Sequence, residues 1–227
     1  MKTNFIEVRP ESEEEWLEYR RRVITATESG ILLGLNPWKS VKKMTEDKSA
    51  YEPFENAYTV VGQLLEPVVV AAVNRVLETP YRLFEDEARS FFVDEEIGLG
   101  ATPDAGYNGT LLECKTTKPH NYLKWAYWPP SYYLMQLYTQ MVCTGRSHGL
   151  LAIMSTNLNQ RTADLKLPLH IHEVRRDPWI DEVLFREVKR YWECRKAGKN
   201  YRVDRKQTLQ LELKLRFSIK SLDFSNL

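Results

Sequence analysis

Asp104, Glu113 and Lys115 are residues whose types and spacing can do chemistry together. Between the two acids lies Asn108-Gly109. This pair is the strongest short signal for a two-residue hairpin loop, because both central positions need positive φ. With those two residues as the loop, Tyr107 faces Thr110 and Asp104 falls opposite Glu113. Both carboxylates then share one face of the hairpin, with Lys115 on that face one step diagonal. Like charges directly opposite one another destabilise a strand pair. At roughly 5 Å and an effective dielectric of about 20, the repulsion is on the order of 3 kcal/mol. A hard divalent ion held by carboxylate oxygens would relieve it. Taken alone, the trio also fits a solvated hairpin face carrying a Glu–Lys pair.

The surrounding pattern supplies elements to position these groups. Ser12-Glu13-Glu14-Glu15 reads as a capping box, with Trp16, Tyr19 and Val23 on the helical face behind it. Thr25-Ala26-Thr27-Glu28 is a second box, ahead of Ile31-Leu32-Leu33 and a closing Gly34. Residues 36–56 read as a polar loop with at most one short helix. A helix is expected from Tyr58 to Leu77, kinked or opened by Pro67, and strands over Tyr81–Phe84 and Arg89–Val93. Pro119 to Pro130 reads as an aromatic loop or short helix. Ser131 to Cys143 reads as a helix capped by Ser131 and stopped near Gly145. Strands follow over Gly149–Met154 and from Leu165 to Ile171. A helix from Asp177-Pro178 to Lys196 is stopped by Gly198. Leu209, Leu211, Leu213, Leu215, Phe217 and Ile219 repeat with a period of two, which predicts a last strand.

Composition narrows the class. The chain has 227 residues, 43% hydrophobic and 28% charged, the balance of a water-soluble α/β domain. No run of apolar residues approaches a membrane span, and the opening Met1-Lys2-Thr3-Asn4 is not a signal peptide. Three cysteines without framework spacing fit a reducing compartment, so a cytoplasmic setting is expected. The net charge of +1 means that a nucleic acid would have to be met by a local basic surface.

Pro103-Asp104, a hairpin, then Glu113-Cys114-Lys115 resembles the core motif of the PD-(D/E)xK nuclease superfamily. Phosphodiester hydrolysis needs a cation to neutralise the transition state and acidify a water, and a lysine to orient or deprotonate that water. Further segments, in order, resemble one branch, the lambda-exonuclease-like, YqaJ-type viral recombinase nucleases. Trp16-Leu-Glu-Tyr-Arg20 followed by Val23-Ile24-Thr25-Ala26-Thr27-Glu28 resembles that family's Trp-x-x-x-Arg … Ile-Thr-Ala-Ser-Glu opening. Gly62-Gln63-Leu64-Leu65-Glu66 resembles its Gly-x-x-x-Glu, Thr102-Pro103-Asp104 its Ser-Pro-Asp, and Tyr133-Leu-Met-Gln136 its Tyr-x-x-Gln. Order and spacing agree from about Trp16 to Met141.

The resemblance implies a single nuclease domain over 1–227, of restriction-endonuclease-like topology with a mixed, twisted sheet flanked by helices. The core would span about 16–198, and 199–227 would form a C-terminal extension with a β-strand. It implies that Asp104, Glu113 and Glu66 ligate Mg²⁺ (with Mn²⁺ able to substitute), helped by the Cys114 carbonyl. Lys115 would handle the attacking water and Gln136 would brace the site. Arg20, Thr27 and Thr102 would hold a terminal 5′-phosphate, as a guanidinium and hydroxyls at a helix N-terminus can. The implied activity is 5′→3′ exonuclease digestion of one strand of linear duplex DNA, leaving 3′ overhangs. The implied partners are duplex DNA ends and a single-strand-annealing recombinase. The resemblance implies a homo-oligomer, a trimeric ring, with a monomer as the alternative. An endonuclease or RNA-cleaving nuclease on the same core is the alternative. The chain departs from the pattern in having Thr27 and Thr102 for serines, and Pro67 directly after Glu66.

Other features carry two readings each. Trp125, Tyr127 and Trp128 suit base stacking or rim packing. Lys39, Lys42, Lys43 and Lys48 suit phosphate tracking or a solvated loop. Gln136 and Gln140 also fit a plain polar helix stripe. His170 and His172 alternate with Leu169 and Ile171, so they are expected to face solvent. Cys114 should point away from Glu113 into the core.

Overall fold

The computed structural model describes residues 3–50, 57–84, 90–156 and 168–222. The first half runs β1 (Ile6–Val8), α1 (Glu13–Arg22), β2 (Ile24–Thr25), α2 (Ala26–Leu32), α3 (Val41–Ala50) and α4 (Ala57–Leu77). Strands β3 (Arg82–Leu83), β4 (Phe91–Asp94), β5 (Leu99–Ala101), β6 (Ala105–Tyr107) and β7 (Thr110–Thr117) follow. The second half runs α5 (Pro119–Tyr127), α6 (Ser131–Cys143), β8 (His148–Ser155), β9 (Leu169–Arg175), α7 (Pro178–Lys196), α8 (Arg205–Phe217) and β10 (Ile219–Leu222).

The strands form two mixed sheets flanked by helices. One has the order β1-β4-β5-β2 and the other β10-β9-β8-β7-β6-β3. In the larger sheet β7 pairs antiparallel with β6 and parallel with β8. The parallel step requires a crossover, which α5 and α6 supply. Strand alternation divides the core. Leu112, Cys114, Leu150 and Ala152 pack with Val69, Val70 and Val73 of α4. Leu111, Leu151 and Ile153 pack with Leu134 and Leu137 of α6 on the other face.

Helix starts follow their sequence signals. Thr25 caps α2 with a complete capping box to Glu28, and Gly34 beyond the helix has φ +75°. Ser12 caps α1 by accepting from Glu15 N, but the Glu15 side chain reaches back to Glu11 N. Asp177 caps α7, with Pro178 at its first turn. Pro130, not Ser131, occupies the cap position of α6; the Ser131 hydroxyl instead donates to Glu212. Gly30 in α2 lies against α6 so closely that a Cβ there would sit 2.9 Å from Tyr132 Cβ.

Three further expectations are corrected. The segment expected as a strand from Leu209 to Ile219 is helix α8, and strand β10 starts only at Ile219. Leu211 and Leu215, one turn apart, are buried, whereas Leu209 and Leu213 are 64% and 57% exposed. The intervening Gln, Glu, Lys and Arg are strong helix formers, and Asp204 caps the first turn. His172 is buried rather than solvated, because β9 is an interior strand and the Trp125 carbonyl of α5 lies over it. Finally, Val60–Leu77 in α4 is long and apolar enough to cross a membrane. Gln63, Glu66, Asn74 and Arg75 interrupt its apolar residues, so no unbroken run marks it in the sequence. Val69, Val70 and Val73 of this helix are buried against the larger sheet. Arg89, Leu165 and Leu167, placed in strands from the sequence, lie outside the described residues.

Candidate active site

The hairpin register sets the site. Asn108 and Gly109 take φ +45° and +86°, and the pairs run Tyr107↔Thr110, Gly106↔Leu111, Ala105↔Leu112. One step further out, Asp104 meets the Glu113-Cys114 segment. Its Oδ2 accepts from Cys114 N at 2.8 Å, and its carbonyl accepts from Phe84 N at 3.0 Å. Asp104 is therefore held from both neighbouring strands.

Glu113 is fully buried on the α6 side of the sheet. Its Oε1 accepts from Gln136 Nε2 at 2.6 Å and forms an ion pair with Lys115. Its Oε2 accepts from Gln140 Nε2 at 2.6 Å. The same Gln140 nitrogen donates to the Thr102 carbonyl at 3.2 Å. Gln136 and Gln140 stand one turn apart on α6, so both reach one carboxylate. The sequence reading had weighed Gln136 as a brace but left Gln140 a stripe residue; the i, i+4 spacing was the available signal.

The charges are strongly coupled. Burial, then Glu113 and Glu66, push the Asp104 carboxyl well above its usual range, against the opposing pull of Lys115 and the Cys114 N–H. Burial works against the Lys115 ammonium, but Glu113 and Asp104 outweigh it and raise its pKa. Burial, followed by the same carboxylates, pushes the Cys114 thiol up, so this side chain stays protonated in the core and leaves only its carbonyl as a donor. Lys115 Nζ also stands 5.2 Å from the centre of the Tyr133 ring. Burial raises the Tyr133 phenol to about 12.

Among the described residues no group of three His, Cys, Asp or Glu forms a ready metal cage. The donor chemistry still fits a hard cation. Glu113 and Glu66 both raise the Asp104 carboxyl and Lys115 opposes them, so all three lie within electrostatic reach of Asp104. Carboxyl oxygens are the donor type that a hard cation such as Mg²⁺ or Mn²⁺ takes. Glu66 comes from the half-buried middle of α4, which covers the opposite sheet face.

A second cluster forms at the end of the smaller sheet. The Arg20 guanidinium lies over the Trp16 ring, 4.4 Å from its centroid. The Trp16 indole N–H donates to Thr102 Oγ1 at 3.2 Å. Strands β2 and β5 are parallel with Thr25 opposite Gly100. Thr27 and Thr102 each lie two residues beyond that pair, at the same end of the sheet. Thr27 is exposed in the first turn of α2. The structure thus links Arg20 to Thr102 through Trp16 and places Thr27 at that end.

The lysines of 39–48 do not form an open basic track. Lys39 and Lys43 pair with Asp47 at 2.7 and 2.8 Å, and Lys42 with Glu46 at 3.9 Å. Lys48 is buried and pairs with Glu28 at 2.7 Å. Among the aromatic residues, Tyr127 is exposed, Trp125 packs on Tyr133, and Arg216 lies over Trp128.

Comparison with known proteins decides the family. The model of the YqaJ-like viral recombinase domain matches residues 15–147, a span that contains Arg20, Glu66, Asp104, Glu113, Lys115, Gln136 and Gln140. The chain belongs to this family. The YqaJ-like chain is 28% identical over 129 residues to the uncharacterized protein YqaJ of Bacillus subtilis (strain 168), a match covering 50% of this chain and 36% of that protein. The chain therefore aligns with about a third of that relative's length. Among solved structures it is similar to an alkaline exonuclease (LHK-Exo) from Laribacter hongkongensis, with a TM-score of 0.59 and 19% identity, covering 90% of this chain and 95% of that one. A structure of LHK-Exo in complex with dAMP gives a TM-score of 0.56 at 20% identity, with the same coverage. A phage-related exonuclease from Haemophilus somnus 129PT gives 0.56 at 14% identity, covering 78% and 96%. The fold of this YqaJ-like chain is the restriction-endonuclease-like α/β fold of those enzymes.

Proposed function

We propose that this YqaJ-like chain is a metal-dependent deoxyribonuclease that digests one strand of linear duplex DNA, 5′→3′, from 5′-phosphorylated ends. The observation that carries the reading is the buried Glu113 carboxylate, paired with Lys115 and fixed by Gln136 and Gln140, with the Asp104 carboxyl within its electrostatic reach. Support comes also from the exonuclease names of its structural neighbours.

Asp104, Glu113, Glu66 and the Cys114 carbonyl would hold Mg²⁺, with Mn²⁺ as a substitute. Bound there, the ion would neutralise charge at the phosphate and acidify a water. The protein's own groups do the positioning. Gln136 and Gln140 fix the rotamer of Glu113 so that its charge needs no reorganisation during reaction. The carboxylates keep Lys115 protonated in the resting protein. As an ammonium, Lys115 would orient the attacking water and stabilise developing charge.

Arg20 and Thr102 would take the terminal phosphate. Stacked on Trp16, the guanidinium has the planar, forked donor geometry that matches phosphate oxygens. Thr102 Oγ1 accepts from the indole, so its own O–H remains a donor. Thr27 would add a third hydroxyl. A product with 3′ overhangs is a substrate for strand annealing, so a single-strand-annealing recombinase is the partner that this reading carries, inside a host cell. Light scattering would decide between a trimeric ring and a monomer.

The test is digestion of end-labelled linear duplex with Mg²⁺, Mn²⁺ or EDTA, using 5′-phosphate and 5′-hydroxyl ends, with a closed circle alongside. Metal-dependent release from phosphorylated 5′ ends is expected. Nicking of the circle would favour the endonuclease alternative, and equal rates on both ends would remove the phosphate assignment.

A further inference from the structure

Lys48 of α3 is a charged group that the proposed chemistry does not use. Its side chain is 5% exposed, against 19% for Lys115. Its Nζ donates to the Arg20 carbonyl at 2.9 Å and the Val23 carbonyl at 2.6 Å, and pairs with Glu28 Oε2 at 2.7 Å. An ammonium has three hydrogens, and these three acceptors can take all of them. Lys48 is thus committed inside the protein rather than offered to a ligand.

The acceptors come from two elements. Arg20 lies in the last turn of α1, Val23 is its C-cap, and Glu28 stands in the first turn of α2. Carbonyls at a helix C-terminus favour a cation. Glu28 Oε2 also accepts from Thr25 N at 2.9 Å and Thr25 Oγ1 at 3.0 Å. One buried ammonium therefore ties the backbone of Arg20 to the capping box that starts α2. Burying such a group costs desolvation and is weak evidence of a gain in stability. What it fixes is geometry, since the end of α1 cannot shift against the start of α2 without breaking a contact to a buried charge.

We propose that Lys48 is a positioning residue for the terminal-phosphate pocket, holding Arg20 where its guanidinium can engage a 5′-phosphate. The inference rests on the reading of Arg20, Thr27 and Thr102 as that pocket. Paired guanidinium–phosphate contacts depend on sub-ångström placement, so a loosened α1–α2 junction would weaken recognition of the phosphorylated end while the Asp104/Glu113/Lys115 cluster is untouched.

The test uses the full chain with Mg²⁺ and two duplexes differing only in a 5′-phosphate or 5′-hydroxyl. Lys48→Met is compared with the parent. The expected result is a loss of about tenfold or more on phosphorylated ends, mostly in KM, with the hydroxyl-end rate within about twofold of the parent. The double variant Lys48→Met/Glu28→Gln, which lacks the unpaired carboxylate, is run beside it and is expected to show the same collapse of the ratio. An unchanged ratio, or equal loss on both ends, overturns the proposal and leaves the pocket reading standing. A parent enzyme that shows no preference for the phosphate overturns both. Loss of the folded circular-dichroism signal in both variants also overturns it, since Lys48 would then serve folding and not placement.

Discussion

Gln140 Nε2 stands 2.6 Å from Glu113 Oε2, and both side chains are fully buried. The same nitrogen is 3.2 Å from the Thr102 carbonyl, so one amide joins the strand of the acidic cluster to the loop that carries the proposed phosphate contact. The other end of that amide, Oε1, is buried without a hydrogen-bond partner among the described residues. A buried polar atom left unmet is a cost that a protein keeps where geometry matters more than stability.

Replacing Gln140 by Leu should leave Glu113 Oε2 without its donor. A buried acceptor stripped of its partner costs about 1–3 kcal/mol. Urea melts of the variant and parent should differ by that amount, and cleavage should fall with the misplaced carboxylate. A variant as stable and as active as the parent would show that the 2.6 Å contact has no consequence.

Asp104→Asn should separate activity from stability. The folded protein raises the Asp104 carboxyl through burial and the nearby Glu113. Its pKa in the folded state therefore exceeds that in the unfolded chain, and the ionised form is a liability. That liability is absent at low pH and grows as pH rises through the unfolded value. Asparagine removes it while still able to accept from Cys114 N. Cleavage should drop about 10³-fold, the scale of losing one preorganised charge in such a site. The Tm measured in EDTA should be no lower than the parent's; a marked fall would contradict the electrostatic account.

His172 predicts an acid limb. Burial, with a smaller push from His170, lowers its pKa from 6.5 to about 4. Nε2 lies 3.4 Å from the Trp125 carbonyl and Nδ1 3.3 Å from Ser221 Oγ, an arrangement that suits the neutral ring with its proton on Nε2. The folded pKa is depressed, so the unfolded chain binds the proton first. Stability should be whole above pH 6.5 and decline as pH falls from 6.5 toward 4, by up to about 3 kcal/mol. His172→Gln should lose this slope whatever its baseline, as chemical denaturation across that range would reveal.

The leucines of α8 give a test of its helical face. Leu211→Ala and Leu215→Ala should each cost about 2–5 kcal/mol, the usual range for buried leucines. Leu209→Ser and Leu213→Ser should change stability by about 0.5 kcal/mol or less. Equal effects at all four positions would argue for a strand-like face and against the helix.

The site was legible where local chemistry dictates geometry. Asn108-Gly109 demands a tight hairpin, so the register from Tyr107 opposite Thr110 to Ala105 opposite Leu112 could be counted from the turn. Thr25 and Glu28 announced α2 for the same reason. Legibility failed where the answer depends on what packs above. Leucine at every second position from 209 satisfies a strand pattern, yet Leu211 and Leu215 also satisfy one turn of helix, and propensity decided between them. His172 looked solvated because alternation on β9 suggests a wet face, and nothing local reveals that α5 lies over it. Lys48 sat among lysines that do pair on the surface; its burial is a property of the α1–α2 junction and of no sequence window.

The missing side chain at Gly30 has one more consequence. There α2, which follows directly from the Arg20 turn and bears Thr27, touches α6, which bears Gln136 and Gln140, with no room for a single methyl. Backbone against backbone is the least compressible spacer a protein can build. On the proposed function, that contact holds the proposed phosphate grip and the proposed point of scission at a fixed spacing.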